Sequence, residues 1–328
     1  WNWEGAMTMV GQQVMETGAN YGLSVIPLFI LMGSFIHRSN ISEDLFRAAY
    51  AFIGYRKGGL AQATVLASAG FSAVSGSSLA TAATMTKVAM PHMRRYGYAD
   101  SLSSGVVAAG GTLGIMIPPS VPLIIYGLVA EEDIGKLFIA GIVPGLLIVV
   151  LFSMYCMYYA YRHDIPVLPR EDWGQRFTAM RRALWPMGFP AIIVGGIYGG
   201  VFSPTEAAAI CVLYAAILEV VIFRSIRIRD LFDIALSTGA ITSVVFILIA
   251  AGAAFSWTLS FAQVPQQIIA SLGLNDASPL MVLLAINIAF FVGCMFVDSI
   301  VVILILVPIF APMIKAAGLD PVLVGVLI

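Results

Sequence analysis

Charge is what this sequence lacks. Only 11% of its 328 residues are Asp, Glu, Lys or Arg, against 60% hydrophobic, and the mean hydropathy is +0.94. A water-soluble domain carries about 25% charged and about 45–50% apolar residues, so that class is excluded before any motif is read. Histidine is scarce, with three, and so is cysteine, with three. His37 falls at a helix end, and His92 and His163 lie in or beside basic loops, which leaves no histidine at membrane depth to activate a nucleophile. Cys156, Cys211 and Cys294 are widely spaced in apolar runs and read as buried free thiols, with no spacing of a metal site or redox pair. A net charge of −1 gives no basic excess for nucleic acid. The chain opens at Trp1 with no signal-peptide pattern and stops at Ile328 inside an apolar run, so both ends read as cuts through a longer protein.

What is present is a series of long apolar segments. A helix needs about 20 residues to cross about 30 Å of hydrocarbon. Crossings or half-crossings are expected at roughly 20–37, 59–75, 78–93, 101–129, 135–161, 184–201, 205–223, 236–257, 279–297, 299–314 and from 321 onward. Two amphipathic pieces, 42–55 and 261–272, suit the membrane interface, and 1–18 is too polar to span and reads as a lid. Tyr155, Tyr158, Tyr159, Tyr161 and Trp185 mark interfacial belts.

The basic residues give a topology. Fifteen of 17 fall in four patches, Arg38–Lys57, Lys87–Arg95, Arg162–Arg182 and Arg224–Arg229, which the positive-inside rule places in the cytoplasm. The first two patches flank 59–93, so that segment enters and leaves on one side, a re-entrant hairpin with its tip at Val74 to Ser78. Glu131-Glu132-Asp133 and Phe202 to Thr205 then fall outside. An internal repeat is spaced about 221 residues: Pro91 and Gly97 align with Pro312 and Gly318, Ser77 with Asp298 and Ser78 with Ser299, while Asp100 and Gly105 match Asp320 and Gly325 one residue shorter. The second hairpin, about 279–315, follows a helix that leaves the cytoplasm at Arg229, so the two copies are inverted, as in many secondary transporters. The expected fold is an all-α polytopic membrane protein with two re-entrant helical hairpins and broken transmembrane helices. Residues 1–183 form the first repeat, with a cytoplasmic linker at 162–183, and 184–328 form a truncated second repeat.

Candidate chemistry lies at the breaks. Ser75, Gly76, Ser77 and Ser78 place interrupted backbone at membrane depth, where lipid satisfies neither N–H nor C=O, so it must line a cavity or be buried in protein. Half-helix N-termini suit an anion and C-termini a cation. Ser72, Thr81 and Thr84 read as packing hydroxyls bonded back to their helices. A second break, Gly110 to Pro122, holds Gly111, Thr112, Pro118, Pro119 and Ser120, with two prolines removing two donors. Asp298 is the deepest carboxylate. A charge at mid-bilayer costs on the order of 2.5–3.5 kcal/mol, so it is expected beside a cation or substrate, with a proton relay as the rival use. Glu206 after Ser203-Pro204-Thr205 reads as support for a helix start, Glu219 as a partner of Arg224, and Asn287 as buried glue or a cavity-lining group.

At GFSAVSGSSLATAATM, RRYGYADSLSSGVVAAGGTLGIMIPPS, FSPTEAAA and FVDSIVVILILVPIFAP, nearly the whole chain resembles the large membrane subunit of the tripartite ATP-independent periplasmic (TRAP) transporters. The resemblance implies an elevator-type, sodium-coupled importer of an organic acid such as a C4-dicarboxylate or sialic acid, in a bacterial inner membrane. It also implies a small membrane partner subunit and a periplasmic binding protein that delivers the substrate. Carried over by motif, Ser75, Ser77, Ser78, Pro119 and Ser120 would face substrate, and Ser75, Gly76, Gly111, Thr112, Asp298 and Ser299 would frame sodium sites. No other cofactor is expected. The family's second copy continues into its own Pro-Pro break, and this chain ends before it, so the fragment is not expected to transport alone. Two other readings stand beside this one: an intramembrane protease using Ser75 or Asp298, and an ion channel.

Overall fold

The structure is a computed structural model and describes every residue except 1, 2, 166, 228, 265, 266 and 268–277. Among the described residues all regular structure is helical. That follows from the solvent: in hydrocarbon a backbone must satisfy its own hydrogen bonds, and a helix does so within one segment. The order is α1 (Trp3–Ala19), α2 (Val25–His37), α3 (Ile41–Ile53), α4 (Gly59–Ser75), α5 (Ser78–Arg95), α6 (Asp100–Thr112), α7 (Val121–Ala130), α8 (Ile134–Arg162) and α9 (Trp173–Pro190). A single turn, α10 (Gly196–Tyr198), is followed by α11 (Pro204–Ile217), α12 (Asp230–Phe261), α13 (Pro279–Phe296), α14 (Ser299–Ala316) and α15 (Pro321–Leu327). Among the described residues five helices are long and apolar enough to cross a membrane: Ile134–Arg162, Pro204–Ile222, Asp230–Phe261, Pro279–Phe296 and Ser299–Ala316. On α8, Val143, Leu146 and Leu147 are 72, 57 and 58% exposed, a continuous apolar face that only lipid or another membrane helix can cover.

The chain divides into two compact units. One comprises Leu28–Val121 and Gly141–Leu236. There α4 packs between α3, α5 and α6, and α9 packs on α3. The other comprises Trp1–Pro27, Pro122–Ala140 and Ser237–Ile328. In it the Tyr126 hydroxyl of α7 donates to the Pro321 carbonyl at 2.6 Å, tying α7 to the start of α15. Gly252 lets α12 lie against Leu304 of α14, and Gly293 lets α13 lie against Val302, since an added Cβ would meet those side chains at 2.9 and 3.0 Å. Small residues permit such approach in membrane helices.

Helix starts follow capping chemistry. Ser203 and Glu206 form a reciprocal capping box at α11, with Ser203 N–H donating to Glu206 Oε2 at 2.8 Å, as expected for Glu206. Asp172 and Gln175 form another, which starts α9 at Trp173. The second half of the segment expected as a linker, 162–183, is therefore helical. Two of its arginines lie over aromatic faces: Arg170 has its guanidinium carbon 5.2 Å from the Tyr55 ring centre, and Arg176, only 3% exposed, lies 5.2 Å from the Tyr55 and Trp173 ring centres. The interfacial helix expected at 42–55 is α3, whereas most of 261–272 lies outside the described residues. The segment expected as a lid, 1–18, is helical from Trp3 onward, as α1. Cys156 and Cys211 are buried, but Cys294 is exposed, because it stands on the outward side of α13 rather than in its packed face. Glu219 does not pair with Arg224. The chain turns back after α11, so Glu219 is fully buried, its Oε2 accepts the Ser225 hydroxyl, and its Oε1 has no hydrogen-bond partner.

Candidate functional site

The tip of the first hairpin is two helix ends meeting across one glycine. Helix α4 ends at Ser75, Gly76 takes the left-handed conformation at φ +64°, and extended Ser77 starts α5 by accepting the Ala80 N–H. The positive φ is a conformation that glycine adopts without steric cost. Carbonyls of the α4 C-terminus and N–H groups of the α5 N-terminus are therefore presented at one point in the middle of an apolar segment.

The second break packs on that tip. After α6 the backbone passes through a short 3₁₀ turn, Leu113–Ile115, and the Pro118-Pro119 pair before α7 begins. The Val121 N–H donates to the Gly76 carbonyl at 3.4 Å. An added Cβ on Gly76 would lie 2.7 Å from the Pro119 oxygen, one on Gly114 would lie 2.6 Å from the Ser77 oxygen, and one on Gly111 would lie 2.8 Å from Ala82 Cβ. Three glycines thus seat one broken segment directly on the other. Ser75, Gly76, Ser77, Ser78, Gly111, Pro119 and Ser120, all singled out from sequence, come together here.

The hydroxyls are engaged but not exhausted. Ser75 Oγ and Thr81 Oγ1 are 2.8 Å apart, and Thr81 also donates to the Ser77 carbonyl at 2.9 Å. Ser120 is fully buried and donates to the Ile115 carbonyl at 2.6 Å. Thr112 is exposed, its hydroxyl donating to the Ala109 carbonyl at 2.7 Å. A hydroxyl can donate once and accept twice, so each retains capacity. Sequence reasoning missed Ser68 and underrated Ser72. Both are fully buried on α4, and neither Oγ has a hydrogen-bond partner. A buried hydroxyl left unpaired is costly, and these two supply hard oxygen donors one and two turns before the tip. The available signal was their spacing: Ser68, Ser72 and Ser75 recur at helical intervals and share one face of α4.

In the other unit the second hairpin breaks at an extended Val297 between α13 and α14. Asp298 caps α14, its Oδ1 accepting the Ile300 N–H at 2.9 Å, and Ser299 is the first helical residue. Asp298 is exposed and Ser299 half-buried. Asn287 donates to the Leu283 carbonyl of its own helix at 2.9 Å. Ser77 and Asp298 are both helix caps, and Gly97 and Gly318 are both left-handed, at φ +76° and +65°.

Residues 3–328 match the family model described as tripartite ATP-independent periplasmic transporter, DctM component. The ectoine TRAP transporter large permease protein of Halomonas elongata is 52% identical over 324 residues, covering 99% of this chain and 76% of that protein. The ectoine/5-hydroxyectoine TRAP transporter large permease protein of Ruegeria pomeroyi is 53% identical over 321 residues, covering 98% and 75%. The C4-dicarboxylate TRAP transporter large permease protein of Pseudomonas aeruginosa is 38% identical over 315 residues, covering 96% and 74%. These relatives are permease subunits and not enzymes, which removes the protease reading of Ser75 and Asp298. Glycines that seat a hairpin tip on a Pro-Pro break, and similarity across almost every residue, agree: the chain belongs to the TRAP transporter large permease family, as a multi-pass membrane protein.

Proposed function

We propose that this permease imports a small zwitterionic carboxylate of the ectoine type, coupled to sodium, across a bacterial inner membrane. The observation that carries the reading is the tip-on-break contact of the first hairpin, where helix ends, Ser75 and Ser120 meet, with the unpaired Ser72 and Ser68 one and two turns back along α4. Oxygen donors of this kind suit a hard cation, and the N-terminus of α5 suits a carboxylate. Ser75, Ser77, Ser78, Pro119 and Ser120 are proposed for substrate, and Ser75, Gly76, Gly111 and Thr112 for sodium, with Asp298 and Ser299 framing the ion at the second hairpin. The substrate class is narrowed by the relatives. Those at 52 and 53% identity are named for ectoine and the one at 38% for C4-dicarboxylates, which favours a cyclic zwitterion over a dicarboxylate or sialic acid.

Coupling is read as ordering. A cation at the hairpin tip would hold the broken segments in place and face the carboxylate end of the zwitterion, completing the pocket that the substrate enters. The two hairpins, as inverted copies, would move as one block against the remaining helices. A small membrane subunit and a periplasmic binding protein would complete the system. The test is uptake of labelled ectoine by the complete complex in proteoliposomes. An inward sodium gradient should drive uptake, unlabelled ectoine should compete better than succinate or sialic acid, and Asp298→Asn should weaken the sodium dependence. Sodium dependence unchanged in that variant would remove Asp298 from the coupling site, and succinate competing as well as ectoine would overturn the substrate class.

A further inference from the structure

The unit that holds the first hairpin carries a second polar feature, remote in sequence from the breaks. A cavity of about 590 Å³ opens where α3, α9 and the turn after α11 converge. Its walls are graded. Arg47, Arg181 and Arg182 stand with Glu43 and Asp44 in the polar part. Trp185, Ile222 and Phe223 form the apolar part. A smaller cavity of about 200 Å³ shares Arg47, Thr178 and Arg182, so the polar end continues along α9.

The charges do not cancel. Asp44 is the carboxylate already engaged, with Oδ1 4.0 Å from Arg182 Nη1. Among the described residues neither Arg47 nor Arg181 has a carboxylate within ion-pair distance. Three guanidinium groups face two carboxylates, which leaves the walls with one unmatched positive charge. Guanidinium groups bind phosphate through paired, charge-assisted hydrogen bonds.

Depth fixes the kind of phosphate. The span Pro204–Ile222 ends on the cavity wall, and the polar residues come from two of the basic patches that the charge bias puts on the cytoplasmic side. Under that charge bias the cavity lies at headgroup level, and Trp185 and Ile222, each 41% exposed, give it an apolar wall. Basic pockets between membrane helices on this side are a known chemistry for lipid headgroups. A soluble phosphate would use only the charged end, whereas an amphiphile uses both.

We propose that this cavity is a headgroup site for an anionic phospholipid, with the phosphodiester held by Arg47 and Arg181 and the glycerol end lying against Trp185, Ile222 and Phe223. One net negative charge on the lipid matches the one unmatched positive charge of the walls. A zwitterionic lipid would leave that charge standing. The site joins α3 to α9 through the lipid and is independent of the substrate assignment above.

The test is native mass spectrometry of the delipidated full permease complex titrated with dioleoylphosphatidylglycerol. The expected result is a retained lipid adduct at least tenfold tighter than with dioleoylphosphatidylethanolamine. Arg47→Gln combined with Arg181→Gln should weaken it at least tenfold, while Lys136→Gln, outside the cavity, should leave it unchanged. Inorganic phosphate at millimolar concentration should not displace the lipid. Equal binding of the two lipids by the unaltered complex would overturn the proposal whether or not the double variant folds. So would displacement by inorganic phosphate, or full adduct retention in a folded double variant.

Discussion

Gly114 is the residue on which the first site turns most sharply. A methyl there would meet the Ser77 oxygen and carbon at 2.6 and 2.7 Å, and both are backbone atoms with no rotamer to give way. Gly105, nine residues earlier on α6, has nothing within 4 Å of the same position. Gly114→Ala should therefore push the hairpin tip off the break and lower uptake by the complete complex by about tenfold or more, since misplacing functional groups by about 1 Å can cost on the order of 100-fold. Gly105→Ala should leave uptake near the unaltered level with the same surface expression. Equal activity in the two variants would mean that the contact does not matter. The motif Gly110 to Pro122 was legible as a break because proline and glycine interrupt a helix whatever surrounds it. Which glycine touches which partner was not legible, because that depends on how α4, α5 and α6 pack. Ser68 and Ser72 were hidden for a related reason: a serine in an apolar helix usually bonds back to its own turn, and only the packed structure leaves these two without a partner.

Among the elements, helix boundaries were readable where side chains cap them and unreadable where the helix runs on under strain. Ser203-Pro204-Thr205-Glu206 predicts a helix start from local chemistry alone, and α11 begins there. By contrast, α9 and α11 each pass through a π-turn, Ala191–Gly195 and Leu218–Ile222, that no local pattern announced. Helix α9 also begins eleven residues before the apolar run expected from 184, because Asp172 caps it and aromatic rings shelter Arg176. The cap gives a clean measurement. Ser203→Ala removes the acceptor for Glu206 N–H and the donor to Glu206 Oε2, and loss of such a cap costs about 1 kcal/mol. The thermal unfolding midpoint of the purified protein should fall, and adding Glu206→Gln to Ser203→Ala should lower it little further, because the two side chains act as one reciprocal unit. Fully additive losses would show that the box is not reciprocal in solution.

At the scale of the whole molecule, the charge pattern makes a claim sharper than any single contact, because it assigns every loop to a side. Lys57 and Arg95 bracket α4 and α5, which together hold 35 residues, enough for two crossings of about 17 residues each or for one re-entrant pair. Length alone does not separate these, since both return the chain to the same side. The tip does. In a re-entrant pair Ser77 and Ser78 stay within the membrane, and in a full double crossing they emerge. Gly76 and Ser77 are packed on Pro119 and Gly114, which belong to a broken segment and not to a surface loop. With Cys156, Cys211 and Cys294 replaced by serine, single cysteines can be placed at Arg95, Ser78, Glu132 and Val201. In intact spheroplasts a bulky impermeant maleimide should label Glu132→Cys and Val201→Cys at once. Arg95→Cys should react only after the membrane is opened, because the positive-inside rule assigns the basic patches to the cytoplasmic side. Ser78→Cys should resist the bulky reagent from both sides and react with a small thiosulfonate that fits a solute cavity. Rapid labelling of Ser78→Cys by the bulky reagent from outside would make α4 and α5 two ordinary crossings. The hairpin tip would then be a loop in water, with no dehydrated site for an ion or a carboxylate to occupy.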